Sequence, residues 1–293
     1  MSLYEDPSLS GMSRLSAIDA PRKPSRCFRT SADGRIALTM DWLKLLAAAR
    51  SLGRVAIQTR HAYARLVAFR EVPEFLTCPE GGYAQAADGS LRFYFQNWSR
   101  AWGRLAECDC CGTPGRLEVH NDHALEFFQL CPIPGCEPAA WADFLAATTT
   151  GEVPPMAVGS ANHGNAPAAF PRVPSGSRVL SDQAEQIVPL LSALGDDGIP
   201  LRCMMRTAEA IHSREFVTSH VDVTDGVLTA GEKGARLQIG LPAVRSLMLS
   251  MSAHGWMLHF AGPGEISLLA LTASADVAAQ DAWKSALRSA FSF

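Results

Sequence analysis

The chain contains one sequence pattern twice, and this internal repeat constrains its fold more than any other feature. Residues 45–145 align with residues 191–287, and the register holds without a gap from Arg60 through Trp102. Arg60, Ala62 and Ala64 match Arg206, Ala208 and Ala210. Leu91, Phe93 and Phe95 match Leu237, Ile239 and Leu241. Ala140 and Trp141 match Ala282 and Trp283. A repeat of this length indicates that one structural module occurs twice in tandem.

The composition is that of a folded protein without a charge-based affinity for nucleic acid. Of the 293 residues, 47% are hydrophobic and 19% are charged, so the chain can bury a substantial core. The net charge of −3 and the lack of a dense basic cluster argue against a nucleic-acid partner. The N-terminus has no apolar signal segment, and no run of about eighteen apolar residues occurs. We therefore expect a cytoplasmic protein without a membrane span, in which most cysteines are reduced.

The hydrophobic periodicity predicts an α+β fold, a tandem duplication of an antiparallel β-sheet module with flanking helices. Residues 40–51 have the period of an amphipathic helix that stops at Gly53, and residues 91–96 alternate as a half-buried strand does. Residues 98–131 are predicted to form a three-strand meander. Further helices are expected at 138–147, 182–194 and 278–290.

Four segments follow from these patterns. We expect a flexible N-terminal arm at 1–34, a first α+β repeat at 35–149, a linker rich in proline and glycine at 150–180, and a second repeat at 181–293.

A cysteine-rich insertion interrupts the register in the first copy. Because alternate strand ends of an antiparallel meander meet at one edge, at least four thiols can converge there. Zinc is the default occupant of such a site, although the spacing C-x-C-C…C-x4-C differs from paired C-x-x-C knuckles. Unliganded thiols and disulfides remain alternatives. The candidate ligands are Cys108, Cys110, Cys111, Cys131 and Cys136.

The remaining polar residues point to no familiar catalytic machinery. His120 and His123 flank a predicted turn, where solvated histidines are expected and metal or haem ligation is the alternative. His259 is predicted to be a buried histidine with satisfied hydrogen bonds. The sequence contains no nucleophile elbow, no phosphate-binding glycine loop and no H-E-x-x-H motif, so hydrolase and nucleotide-binding functions have no support.

Three segments of the first copy resemble the bacterial haemin-degrading, haem-utilisation family (HemS/ChuS/ChuX type). They are residues 46–53, 59–64 and 90–98, which read LAAARSLG, TRHAYA and SLRFYFQNW. In that family a helix ending in glycine leads to a strand of type R-N-E-Y-A-V-H. A later strand contains D-L-R, a hairpin follows, and the unit occurs twice. The similarity covers most of 42–147 and, more faintly, 184–290.

The resemblance implies an intracellular protein that binds haem between its halves and stores, delivers or oxidatively opens it. Arg92 stands at the position of the family's haem-contacting arginine, and Tyr94 shares its face of the strand. An arginine beside a tyrosine suits a propionate or another carboxylate, and an ordinary exposed strand face is the alternative. The matching residue of the second copy is Gln238, so an anion site of this kind would be asymmetric.

The candidate iron ligands follow from two departures from the family pattern. The histidine of the A-V-H element is Leu66 in the first copy, whereas the second copy keeps it as His212. The family's axial histidine belongs to a helix that precedes the second half. Here the linker replaces that helix, and it contains His163. The resemblance therefore leaves His163 or His212 as the iron ligand.

Two functions follow from the sequence. The first is a cytoplasmic protein that binds haem or another tetrapyrrole in haem iron utilisation, with haem degradation as a further activity. The alternative is a non-catalytic binding or structural protein whose cysteine loop holds zinc and which has no haem site. A homodimer is compatible with both.

Overall fold

The computed structural model describes residues 34–77, 82–108, 111–151, 171–253 and 255–292. Within these residues the chain forms two nine-stranded antiparallel sheets and four α-helices. This architecture confirms the predicted α+β class. Residues 1–33 of the arm predicted at 1–34, most of the linker, and the candidate ligands Cys110 and His163 lie outside the described residues.

The two halves contribute the elements in a similar order. The first half comprises β1 (Arg35–Ala37), α1 (Trp42–Ala49), β2 (Arg54–Arg60), β3 (Ala64–Glu71), β4 (Phe75–Thr77), β5 (Tyr83–Ala86), β6 (Leu91–Tyr94), β7 (Arg100–Glu107), β8 (Pro114–His120), β9 (Glu126–Pro132) and α2 (Pro138–Thr148). The second half comprises β10 (Arg178–Ser181), α3 (Ile187–Asp196), β11 (Pro200–Arg206), β12 (Ala210–Val217), β13 (His220–Thr224), β14 (Val227–Glu232), β15 (Ala235–Gly240), β16 (Ser246–Ser252), β17 (Gly255–Ala261), β18 (Ser267–Ala273) and α4 (Val277–Phe291).

Helix α1 shows how the local sequence sets an element. The Asp41 side chain accepts a hydrogen bond from the Lys44 backbone N–H at 3.0 Å and so caps the first turn. Leu45 and Leu46 bury one face. A 3₁₀ turn follows the helix and ends at Gly53, whose φ of 68° is inexpensive only for glycine. The helix predicted over 40–51 is therefore present.

The two halves exchange strands. The first sheet has the order β1-β7-β8-β9-β2-β3-β15-β14-β13, so its last three strands come from the second half. The second sheet has the order β10-β16-β17-β18-β11-β12-β6-β5-β4, so its last three strands come from the first half. The boundary between the repeats in the sequence is therefore not a boundary between the sheets.

Each hydrophobic core draws on both sheets as a result. Phe93 lies on β6 of the second sheet, yet its ring packs 4.8 Å from Phe128 and 4.9 Å from Trp98, measured between ring centroids. Those two residues belong to the first half, whose core is covered by α1 and α2. The other core lies under α3 and α4 and includes Leu237 of the first sheet.

In the core under α3 and α4, position 195 requires glycine because the backbone of Thr218 lies too close for a larger side chain. Gly195 lies near the end of α3, and a Cβ atom there would overlap the backbone carbonyl of Thr218. Because Thr218 is buried and its hydroxyl donates to the Leu191 carbonyl oxygen at 2.7 Å, it has no room to move. We expect Gly195→Ala to lower the free energy of unfolding by about 1–3 kcal/mol in urea titrations.

The matched control is Gly234→Ala. A Cβ atom at Gly234 meets only the Glu232 side chain at an ordinary distance of 3.7 Å, so this variant should unfold within about 0.5 kcal/mol of the parent. Equal stability of the two variants would contradict the close approach at Thr218.

Candidate functional sites

The strand β6 presents Arg92 on the side of the second sheet that faces away from the hydrophobic core. Leu91 and Phe93 are buried in the core, whereas Arg92 and Tyr94 alternate to the opposite face. Cross-strand pairing places Ile211 beside Arg92 on that face. We call this surface the Arg92 face, defined by Tyr83, Gln85, Arg92, Tyr94 and Ile211.

The guanidinium of Arg92 is oriented by neutral groups. Its Nε and Nη2 atoms donate to the Gln85 side-chain oxygen at 3.0 and 2.5 Å. Its central carbon lies 5.7 Å from the centroid of the Tyr83 ring, within the range of a cation–π contact. No acidic group of the described residues forms an ion pair with Arg92. Its positive charge is therefore fixed in place and suited to an anionic ligand.

The first sheet carries a symmetry-related pair that the sequence comparison did not reveal. Gln238 on β15 pairs with Arg65 on β3, just as Arg92 on β6 pairs with Ile211 on β12. The Arg65 guanidinium donates to the Gln238 side-chain oxygen. Each sheet therefore has an arginine at this equivalent cross-strand position, Arg65 in the first sheet and Arg92 in the second. A cavity of about 650 Å³ adjoins this pair, and Arg60 and Arg245 also line it.

His212 does not share a ligand site with Arg92. It pairs with Leu91, so its side chain lies on the core face of the second sheet. The residue is only 1% exposed. Burial lowers the pKa of His212 to about 3, and the charges of Arg70 and Arg214 add to this effect. A planar ligand that contacts Arg92 cannot reach His212 through the sheet, so the two candidates are not brought together.

Three of the predicted cysteine ligands converge. The sulfur atoms of Cys108, Cys111 and Cys131 all lie within 4.8 Å of one another. Cys108 follows β7, and Cys131 lies on β9, as the argument from shared strand ends expected. Cys136 is not part of this group, because its thiol points toward the Leu52 carbonyl oxygen at 3.4 Å.

A buried ion cluster on the first sheet was missed by sequence reasoning. Glu118 is fully buried, and one carboxylate oxygen lies 2.7 Å from the Nε atom of Arg104 and 2.6 Å from that of Arg116. The other oxygen lies 3.3 Å from His120 and 3.7 Å from Arg35. Burial alone would raise the pKa of Glu118, but the His120 hydrogen bond and the arginine charges outweigh it and hold this pKa at about 2.

The environment of His120 differs from the solvated turn that the sequence predicted, and the ion cluster around Glu118 is unsuited to binding a metal. His120 is 6% exposed and makes a 3.1 Å hydrogen bond to the Ala124 carbonyl oxygen, so it is not a solvated turn histidine. Glu118, His120 and Glu126 could geometrically hold a cation, but the neighbouring guanidinium groups already neutralise Glu118 and would repel one. The cluster is therefore a structural ion network.

His259 has the environment that its strand position predicted. It is buried, and its two ring nitrogens hydrogen bond to the Ser250 hydroxyl at 2.8 Å and to the Ser267 hydroxyl at 3.0 Å. Both nitrogens are thus engaged within the protein. His259 is a satisfied core histidine.

The comparisons with known proteins identify the architecture rather than a sequence family. No protein-family model matches the chain, and no curated protein sequence matches it significantly. None of the helices in the described residues is long and apolar enough to cross a membrane. Two nine-stranded antiparallel sheets and four helices define the fold of the described residues, and solved structures share it.

Those structures are haem proteins. Apo-PhuS, a haem-binding protein from Pseudomonas aeruginosa, has a TM-score of 0.68 at 14% identity, with 87% of this chain and 86% of PhuS covered. Holo-PhuS gives a TM-score of 0.67 at 14% identity and the same coverage. ChuS, a haem oxygenase from Escherichia coli, gives 0.65 at 13% identity, with 87% of this chain and 88% of ChuS covered. The chain therefore has the fold of PhuS and ChuS, which confirms the fold that the sequence resemblance implied.

Proposed function

We propose that this protein binds haem, or a closely related tetrapyrrole, on the Arg92 face. The observation that carries the proposal is the oriented guanidinium of Arg92, which no described acidic group neutralises. The sequence resemblance assigns Arg92 to the position of that family's haem-contacting arginine, and the chain shares its fold with the haem-binding protein PhuS.

The chemistry of the Arg92 face fits the two parts of such a ligand. A guanidinium forms charge-assisted hydrogen bonds with a carboxylate, so Arg92 suits a haem propionate. Tyr83 and Tyr94 are cross-strand neighbours on the same face, and Ile211 adds apolar surface. A flat, largely apolar macrocycle with one acidic edge needs this combination.

The iron ligand in this proposal is His163. His212 lies on the opposite face of the sheet, whereas His163 belongs to the segment between the repeats, outside the described residues. A neutral imidazole supplies the nitrogen that haem iron binds. Binding is the function proposed. Oxidative opening of the ring would further require an electron donor.

Haemin titration of the purified full-length protein tests the proposal. The Soret band should shift and saturate at one equivalent. Arg92→Ala should raise the dissociation constant about ten- to a hundred-fold, because a hydrogen bond to a charged group contributes about 1.5–3 kcal/mol. His163→Ala should change the Soret position as well as the affinity.

Arg65→Ala is the matched control, since Arg65 occupies the symmetry-related pair on the first sheet. It should leave the haemin dissociation constant within about twofold of the parent value. A larger loss in Arg65→Ala than in Arg92→Ala would move the ligand to the first sheet and contradict the proposed site. If the parent protein shows no saturable Soret shift, the alternative of a binding or structural protein without a haem site replaces this proposal.

A further inference from the structure

We propose that Cys108, Cys111 and Cys131 bind a thiophilic metal ion, with zinc as the occupant, at the end of the first sheet where β7 and β9 both terminate. The site is separate from the Arg92 face, which belongs to the other sheet. The proposed metal site is therefore independent of haem binding, and either proposal can be wrong without the other.

The distances between the sulfur atoms fit a tetrahedral centre. A zinc–thiolate bond of about 2.3 Å places two ligand sulfurs about 3.8 Å apart in a tetrahedron. The three sulfur atoms already lie within 4.8 Å of one another. Side-chain rotations that shift the sulfur atoms by about an ångström or less are enough to bring them to bonding geometry, with the strands unchanged.

The backbone holds these thiols together before any ion binds. Cys108 and Cys111 have the C-x-x-C spacing of zinc knuckles, with Cys110 lying between them in the sequence. The Gly112 N–H donates to the Cys108 carbonyl oxygen at 2.7 Å, and Gly112 adopts a φ of 64°. The ladder between β2 and β9 positions Cys131, which pairs with Ala56.

The loop that carries two of these cysteines is not needed to close the hairpin. In the first repeat, residues 108–113 connect β7 to β8. In the second repeat, residues 253–254 alone connect the corresponding strands β16 and β17. The fold thus tolerates a two-residue turn at this point, and the longer loop of the first repeat brings two of the three converging thiols.

Burial makes a thiolate without a compensating cation unfavourable at this site. Cys108 is 2% exposed and Cys131 is 0% exposed, and apolar neighbours such as Val67 surround them. A thiolate in such a place is costly unless a cation compensates its charge. The competing arrangement is three protonated thiols that pack as small apolar groups. The two arrangements differ in metal content and in thiol reactivity.

Elemental analysis of the full-length protein, purified without added metal or chelator, tests the proposal. We expect about one zinc per chain. Cys108→Ser and Cys131→Ser should each lose at least about nine-tenths of the bound zinc. Cys136→Ser and Cys203→Ser are the matched controls, since neither residue belongs to the cluster, and both should keep the parent stoichiometry.

Cobalt reconstitution provides a second readout that does not depend on a variant folding. The parent protein, stripped of metal and supplied with Co²⁺, should develop the thiolate-to-cobalt charge-transfer absorption. Parent protein without bound zinc and without this absorption would overturn the proposal. So would mass spectrometry of acid-quenched protein that shows a disulfide between two of the three cysteines.

Discussion

Glu118→Gln should lower the free energy of unfolding by about 3–5 kcal/mol, the usual result of breaking a buried ion pair from one side. The carboxylate of Glu118 is fully buried and is the shared partner of Arg104 and Arg116. A neutral amide of the same shape leaves their guanidinium groups without a compensating charge in a place that water reaches poorly. Urea unfolding at pH 7, followed by circular dichroism, measures the loss.

The control for this substitution is Glu215→Gln. Glu215 forms an exposed ion pair with Arg202 at 3.3 Å, and such pairs contribute about 0–1 kcal/mol. If the two glutamine variants were equally stable, the Glu118 cluster would contribute no more to the free energy of unfolding than a surface ion pair does.

The destabilisation by Glu118→Gln should also depend on pH. Because the folded protein holds the pKa of Glu118 near 2, below the ordinary 4.5, the ionised carboxylate stabilises the fold above about pH 4.5. That stabilisation, about 3 kcal/mol for a shift of this size, is lost as the pH falls from 4.5 toward 2. The parent and Glu118→Gln should therefore converge in stability over this interval. A difference that is constant with pH would show that ionisation of Glu118 is not its source.

Phe93→Ala should lower the free energy of unfolding by about 3–5 kcal/mol, the cost of removing a large ring from a packed core. The ring is 0% exposed and contacts Phe75, Trp98 and Phe128. Since β6 pairs with β12 of the second sheet, the cavity should weaken both halves together. Urea unfolding gives the magnitude, and amide hydrogen exchange should accelerate in both β9 and β12.

Tyr94→Ala is the control from the same strand. Tyr94 is the next residue of β6 and lies on the Arg92 face, outside the core. Its loss should cost less than about 1.5 kcal/mol. Faster exchange in β9 alone after Phe93→Ala would contradict the coupling of the halves through the exchanged strands.

Part of the fold and of the sites could be predicted from the sequence because it depends on local period. The alternation of Leu91 and Phe93 with Arg92 and Tyr94 predicts which side chains share a face of a strand, and the structure agrees. The convergence of Cys108 with Cys131 followed from the antiparallel meander, whose neighbouring strands are joined by short turns. The helices α1, α2, α3 and α4 appear close to their predicted positions.

Other features depend on partners that are distant in sequence. Arg104, Arg116 and Glu118 meet because β7 and β8 pair in one register, and a shift of one residue would separate them. The sequence resemblance made His212 a candidate iron ligand, but its pairing with Leu91 places its side chain on the core face of the sheet.

The sequence by itself determined the α+β class and the face on which Arg92 lies, because these follow from patterns within single strands and helices. Only the tertiary structure decided which strands pair across the halves. That choice depends on burying two apolar surfaces at once, and no single segment encodes it. It placed Ile211 beside Arg92, gave the first sheet its own arginine at Arg65, and separated His212 from both.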